Sequence, residues 1–178
     1  MLRGFLIAPF LLLVAAKAYG GDLVEIVLQA ELDEPRGYCL DIRGYKARAK
    51  PDRGLQAHSC YSYQGELGVD QAYSQARIEQ GEFQLPGFGV CLTAASSGDS
   101  TQLALDACDG RSSQAFEFTT GGQIQPAATP TLCVTVADGE SRAGGGGEPV
   151  HLIRRLTLEP CDEAKAAYQS WRMRARAD

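Results

Sequence analysis

The chain has 178 residues and a formal net charge of −5. An acidic chain lacks the basic surface that holds phosphates, which argues against nucleic acid as a partner. The length suits one domain.

The first 18 residues have the pattern of a secretory leader. Arg3 supplies the positive start, an apolar run covers residues 5–16, and the tripeptide Ala-Lys-Ala that ends at Ala18 has the small-x-small form of a cleavage site. We therefore expect residues 1–18 to be a signal peptide and residues 19–178 to be secreted or periplasmic. The apolar run is short for a membrane span, and no later stretch is long enough, so we expect no span in the mature chain. A retained anchor is the alternative.

Short apolar stretches separated by turn-forming residues predict strands. The predicted strands cover residues 23–30, 102–107, 114–118, 132–136 and 150–153. Turn formers such as Glu34-Pro35-Arg36-Gly37 lie between them. No segment has a sustained helical period, although residues 162–168 predict a single helical turn. Many short strands between turns indicate an all-β barrel or sandwich.

A three-fold internal repeat organises the chain. Each repeat has a first cysteine (Cys39, Cys91, Cys133), a second cysteine (Cys60, Cys108, Cys161) and a Gln-x-aromatic motif that ends at Tyr73, Phe116 or Trp171. One repeat cannot cover its own apolar face, so three must share a core. About four strands per repeat predict a β-trefoil, with repeats at about residues 23–81, 82–122 and 123–174. The three aromatic residues are then equivalent core residues.

The even number of cysteines predicts disulfides in an oxidising compartment. The repeat selects one bridge per unit: Cys39–Cys60, Cys91–Cys108 and Cys133–Cys161. Each is expected to contribute roughly 3 kcal/mol to stability. The alternative is a zinc site, which we disfavour because there is no close Cys-x-x-Cys pair and only His58 and His151 could join the cysteines.

These motifs resemble the ricin-type β-trefoil lectins over residues 23–173. The third repeat carries the full Gln-x-Trp signature, and the other two carry aromatic variants. The resemblance implies a shallow sugar pocket in each competent repeat. Its parts are an Asp after Cys-Leu, a Gln and an aromatic residue before the second cysteine, and an Asn or Asp before the Gln-x-Trp glutamine. Carboxylate and amide oxygens accept hydrogen bonds from sugar hydroxyls, while an aromatic ring covers the apolar face of the sugar.

The first repeat matches this pattern with Asp41, Gln56, His58, Asp70 and Gln71. His58 departs from it, since the family more often has Trp or Tyr at that position. Imidazole is a smaller stacking surface and would add pH sensitivity near its ordinary pKa of about 6.5. The nearby tyrosines at positions 61 and 63 are candidates to supply the missing aromatic face.

The other two repeats lack the pattern. The second has Thr93, Ala104 and Asp106, and the third has Thr135, Thr157, Glu159 and Tyr168 at the matching positions. We therefore expect one carbohydrate site, in the first repeat.

An enzyme is not expected, nor is a cofactor or a metal. Asp41 and Asp70 could form a glycosidase pair, but nothing in the sequence raises the pKa of either, and a shallow pocket would not desolvate them. Residues 144–147 are four glycines without the Gly-Lys-Ser/Thr ending of a phosphate loop, which predicts a flexible loop. A glycan or polysaccharide is the expected partner. The alternatives are a protein-interaction subunit, such as a toxin delivery subunit or an inhibitor-like trefoil, and a structural module in which Asp41 only caps a turn.

Overall fold

The computed structural model describes residues 23–97 and 100–175. The predicted leader at residues 1–18 lies outside the described residues. Three lobes of four strands each surround a shared core. The first lobe contains β1 Leu23–Leu28, β2 Tyr38–Ile42, β3 Leu55–Ser59 and β4 Tyr73–Ser74. The second contains β5 Gln84–Leu85, β6 Val90–Ser97, β7 Ser100–Ala107 and β8 Phe116–Phe118. The third contains β9 Ile124–Pro126, β10 Leu132–Val136, β13 Leu156–Pro160 and β14 Trp171–Arg174.

Two further strands, β11 Arg142–Ala143 and β12 Leu152–Arg154, form a hairpin inserted between β10 and β13. Two short α-helices are α1 Gln75–Ile78 and α2 Ala166–Gln169. Five 3-10 helices among the described residues are Lys46–Arg48, Pro51–Arg53, Ser62–Gln64, Ser112–Gln114 and Glu163–Lys165. No helix within residues 23–97 and 100–175 is long and apolar enough to cross a membrane.

The all-β, three-lobed prediction is confirmed. The last strand returns to the first, because β14 pairs with β1 through Leu28 and Trp171. The turn predicted at residues 162–168 becomes a 3-10 helix followed by α2. Gln114 is an exception, since it lies in a 3-10 helix rather than in the predicted strand.

The central hairpin of each lobe has the same register, as the repeat predicts. Asp41 pairs with Gln56, and the first cysteine of the lobe, Cys39, pairs with His58. The matching pairs are Thr93–Ala104 and Cys91–Asp106 in the second lobe, and Thr135–Thr157 and Cys133–Glu159 in the third. The positions compared from the sequence are therefore structurally equivalent.

The three equivalent aromatic residues lie in the core. Tyr73, Phe116 and Trp171 are all buried, together with Phe83. The Phe83 and Phe116 rings meet edge to face at 5.8 Å, and Trp171 Nε1 donates a hydrogen bond to the Val134 carbonyl at 2.9 Å. Aromatic burial of this size is a main source of core stability.

Each lobe contains its own disulfide, as predicted. The bridges join Cys39 to Cys60, Cys91 to Cys108 and Cys133 to Cys161, with Cα–Cα distances of 5.1 Å. No cysteine within the described part of the chain is free. All six sulfurs are thus engaged in disulfides.

The glutamine of each Gln-x-aromatic motif braces its lobe. Its Oε1 accepts from the backbone N–H just after the second cysteine: Tyr61 to Gln71 at 2.9 Å, Asp109 to Gln114 at 3.0 Å, and Asp162 to Gln169 at 2.9 Å. Its Nε2 donates to a carbonyl just before that cysteine, at 2.9 to 3.1 Å. All three side chains are buried. The motif is thus a structural element in every lobe.

Candidate functional site

A cavity of about 560 Å3 lies between the first lobe and the inserted hairpin. Five of its lining residues carry rings: Tyr45, His58, Tyr61, Tyr63 and His151. Tyr45 and Tyr63 are exposed and can pack against a ligand, whereas Tyr61 and most of His58 are buried behind them. Its polar lining includes Arg48, Gln64 and Glu148. A volume of this size is within the range of small-molecule sites.

The ring side chains form one contiguous cluster around His151. The centroid of its ring lies 5.1 Å from that of His58, 5.2 Å from Tyr61 and 5.9 Å from Tyr63. The Tyr63 hydroxyl is 2.8 Å from His151 Nε2. The ring of Tyr61 lies 5.2 Å from His58. These contacts pack the rings against one another along one side of the cavity.

The inserted hairpin is attached to the first lobe by hydrogen bonds. Strand β12 pairs with the edge of β3, placing Ile153 opposite His58. The Leu152 N–H donates to Ser59 Oγ at 2.7 Å, and Arg36 Nη2 donates to the Val150 carbonyl at 2.6 Å. The site is therefore composite, with one wall from the first lobe and one from the third.

The five residues predicted to bind sugar do lie close together, but they are buried. Asp41 is 1% exposed, Gln56 4%, His58 5%, and Asp70 and Gln71 0%. The expectation of a shallow, open pocket is therefore wrong for these side chains. Only His58 among them lines the cavity.

Asp41 is held by two amide groups beneath the cavity. Gln56 Nε2 donates to its Oδ1 and Gln71 Nε2 to its Oδ2, both at 2.8 Å. Burial raises the pKa of Asp41 well above its usual value, and the charge of Asp70 raises it further. The expectation that neither carboxylate is desolvated is thus wrong.

Asp70 also lies under the chain rather than in an open pocket. Its Oδ2 accepts from the Lys46 N–H at 2.5 Å, and its buried Oδ1 has no hydrogen-bond partner among the described residues. Burial raises the pKa of Asp70 as well. Gly68 approaches this side chain closely, since a Cβ there would lie 2.9 Å from Oδ1.

His58 is neutral at physiological pH. Burial lowers its pKa to about 4. Nδ1 lies 2.8 Å from the Ser59 carbonyl, which can only accept, so we assign the proton to Nδ1 and a free acceptor to Nε2. The expected pH sensitivity near 6.5 is therefore wrong, because His58 titrates at a lower pH.

His151 and the glycine run belong to this site, although neither was predicted there from the sequence. The loop of residues 144–147 forms part of the wall, and a Cβ at Gly144 would lie 3.2 Å from the His151 carbonyl oxygen and 3.8 Å from His58 Nε2. The length of the loop in the third repeat is the feature of the sequence that could have indicated this insertion. The third pair of cysteines is 28 residues apart, against 21 and 17 in the others, which leaves room for a hairpin.

The other lobes carry carboxylates where His58 stands in the first. Asp106 pairs with Arg111, and Glu159 with Lys165 Nζ at 2.5 Å. Asp106 and Glu159 therefore form solvent-exposed ion pairs at these positions and offer no ring against which a sugar could pack.

Comparison with known proteins agrees with this architecture. A family model of the ricin-type beta-trefoil lectin domain matches residues 29–154 and 79–178. A probable alpha-galactosidase A of Aspergillus niger is 32% identical over 105 residues, which are 59% of this chain and 16% of that protein. The chain thus spans less than a fifth of that relative's length.

Solved structures of other proteins share the fold, and two of them illustrate the similarity to this chain. The C-half of the earthworm R-type lectin, in complex with GalNAc, has a TM-score of 0.57 and 15% identity, and the match covers 85% of this chain and 97% of that one. The agglutinin from Abrus precatorius has a TM-score of 0.55 and 14% identity, with 85% and 46% of the two chains covered.

Proposed function

Because the chain belongs to the family of ricin-type beta-trefoil lectin domains, we propose that it binds carbohydrate without catalysing a reaction, at one site. The site is the cavity between the first lobe and the inserted hairpin. The observation that carries this proposal is the ring cluster of His58, Tyr61, Tyr63 and His151 beside the family's sugar-binding positions.

The lining has the chemistry that a sugar requires. Tyrosine and imidazole rings can cover the apolar C–H face of a pyranose. The free Nε2 of His58 accepts a hydrogen bond from a hydroxyl, and the Gln64 amide and Glu148 carboxylate lie in the same lining.

We assign a supporting role to the buried polar residues. Asp41, Gln56, Asp70 and Gln71 hold β2, β3 and the segment around Lys46 in place. The saccharide contacts the exposed rings of Tyr45 and Tyr63 and the accessible edge of His58. Asp41 is buried, so direct contact between its carboxylate and a sugar would require the residues packed around it to move.

The same reasoning supports a single site and an exported protein. The positions equivalent to His58 in the other lobes are occupied by ion-paired carboxylates. Three disulfides suit an oxidising compartment, which favours the periplasm or the outside of the cell. A single sugar site is expected to bind weakly: a dissociation constant of about 1 mM corresponds to about −4 kcal/mol, and multivalent display would raise the affinity.

A glycan array followed by calorimetry on the oxidised protein tests this proposal. We expect His58→Ala to weaken saccharide binding by about tenfold, which is about 1.4 kcal/mol. The matched control is Glu159→Ala, because Glu159 occupies the same register position in the third lobe. Binding that survives His58→Ala unchanged, or that Glu159→Ala removes instead, would place the site elsewhere.

A protein-interaction subunit is the second candidate. It is favoured by the burial of Asp41, Gln56, Asp70 and Gln71, which leaves few of the family's sugar-binding groups accessible. If the array shows no saccharide bound to correctly oxidised protein, the lectin proposal fails and this alternative replaces it.

A further inference from the structure

A group of arginines lies next to the ring-lined cavity. Arg43, Arg53 and Arg142 line a second cavity of about 560 Å3, together with Gln56. The two cavities share Gly44 and Ile153 in their linings, so they adjoin. A third cavity, of about 400 Å3, shares Arg43 and Arg53 with the second. These adjoining cavities, called the cleft below, are lined by residues of the inserted hairpin and of the central hairpins of all three lobes.

The arginines of this cleft lack carboxylate partners among the described residues. Among residues 23–97 and 100–175, no ion pair within 4.0 Å involves Arg43, Arg48, Arg53 or Arg142. By contrast, five arginines elsewhere are each paired with Asp or Glu: Arg36, Arg77, Arg111, Arg154 and Arg174. The protein is acidic overall, yet the four guanidinium groups that line these adjoining cavities have no carboxylate within 4.0 Å in the described part of the chain.

The contacts that these arginines make do not neutralise their positive charge, which remains available to a ligand. Arg43 Nε donates to the Leu55 carbonyl at 2.9 Å, which orients the side chain without neutralising it. Arg48 lies over the Tyr45 ring, 5.6 Å from its centroid. Glu148 is the one carboxylate lining any of the three cavities among the described residues. The charged side chains that line the arginine part of the cleft are therefore all cationic among the described residues.

We infer that the ligand is an acidic oligosaccharide, which has a carboxylate or sulfate on a sugar unit next to the one in the ring-lined cavity. This inference rests on the proposed function and names the class of saccharide. Guanidinium groups bind carboxylate and sulfate through paired N–H donors, and they are less strongly hydrated than ammonium groups. Two adjoining cavities suit a ligand longer than one sugar, with the ring cluster holding one unit and Arg43, Arg53 and Arg142 holding the anionic group of the next.

Calorimetry with matched neutral and acidic saccharides tests the inference. The pairs are oligogalacturonate and its methyl ester, chondroitin and chondroitin sulfate, and lactose and sialyllactose. We expect at least one acidic member to bind about tenfold more tightly than its neutral partner. The preference should shrink as ionic strength rises from about 0.01 to 0.15 M, over which the Debye length falls from about 30 to 8 Å. Comparison of the carboxylate-bearing saccharides with chondroitin sulfate shows which anion is preferred.

Two variants connect the preference to the cleft. The double variant Arg53→Gln/Arg142→Gln should lose about tenfold in affinity for the acidic saccharide and less than twofold for its neutral partner. Arg111→Gln is the control of equal charge change per residue, since Arg111 is exposed in the second lobe, and it should change neither affinity.

The outcomes separate the two proposals. Equal affinity for acidic and neutral members would overturn this inference and leave the carbohydrate-binding proposal intact, whereas no binding of any saccharide would overturn both. Single-stranded DNA or anionic lipid vesicles that compete as well as the best acidic saccharide would show a non-selective polyanion surface, which also contradicts the inference.

Discussion

The first and third lobes share the hydrogen bonds of the Gln-x-aromatic motif but differ in the side chain that its glutamine contacts and in whether a cavity lies beside it. In both, the glutamine of the Gln-x-aromatic motif donates to the residue two positions after the first cysteine: Gln71 to Asp41 at 2.8 Å, and Gln169 to Thr135 at 2.9 Å. The first lobe thus buries a carboxylate and the third a hydroxyl. The third lobe also extends its inserted hairpin over the first. The hydrogen bonds of this glutamine are therefore present whether or not the lobe carries a cavity. The cavity depends on a few residues in register with the cysteines and on one long loop.

Removing the glutamine brace should have the largest effect and should differ between these lobes. Gln71→Leu leaves the buried Asp41 with one donor fewer and the Tyr61 N–H without its acceptor, so we expect a loss of about 4 kcal/mol in the free energy of unfolding. Gln169→Leu leaves a neutral hydroxyl instead and should cost about 2 kcal/mol. Urea unfolding at neutral pH with intact disulfides measures both. Equal losses would mean that the Asp41 carboxylate is not the distinguishing feature of the first lobe.

Acidification should destabilise the first lobe through His58. Its pKa is lowered from 6.5 to about 4 in the folded protein, so the unfolded chain binds more protons between these values. The stabilising contribution is complete above pH 6.5 and is lost as the pH falls towards 4. It amounts to about 3 kcal/mol.

The test compares the unfolding free energy of the wild type and His58→Phe across this pH range. Asp33 and Glu34 also have lowered pKa values, but they are present in both proteins and cancel in the difference. The variant should lose less stability than the wild type between pH 6.5 and 4. Parallel curves would show that His58 is hydrated enough to titrate normally.

The sequence predicted the frame because the frame is repeated. Three copies of the cysteines and of the Gln-x-aromatic motif identify the trefoil, the bridges and the aromatic core. The accessibility of the site could not be predicted this way. It depends on β12 pairing with β3, a contact between lobes that occurs once and leaves no repeated pattern. The same is true of His151, which reaches His58 only through that pairing.

The smallest predicted effect concerns the charge of Asp41, and its sign is opposite to that of His58. Because the folded pKa of Asp41 is raised, its stabilising contribution is present below its ordinary pKa of 3.8 and is lost as the pH rises through the folded value. Asp41→Asn imitates the protonated form, and Gln56 can rotate its amide to accept from the new NH2 group. We therefore expect the variant to be about 1 kcal/mol more stable than the wild type at pH 7 and equal to it near pH 3.

Thr135→Asp is the reciprocal change in the third lobe, where Thr157 offers no amide to the new carboxylate. It should destabilise the protein at pH 7 and recover stability in acid. A stable Thr135→Asp protein together with a destabilised Asp41→Asn protein would show that the first lobe needs the charge itself. In that case Asp41 would be retained to hold a ligand or a covering loop, rather than tolerated as a buried remnant of the family's sugar-binding pattern.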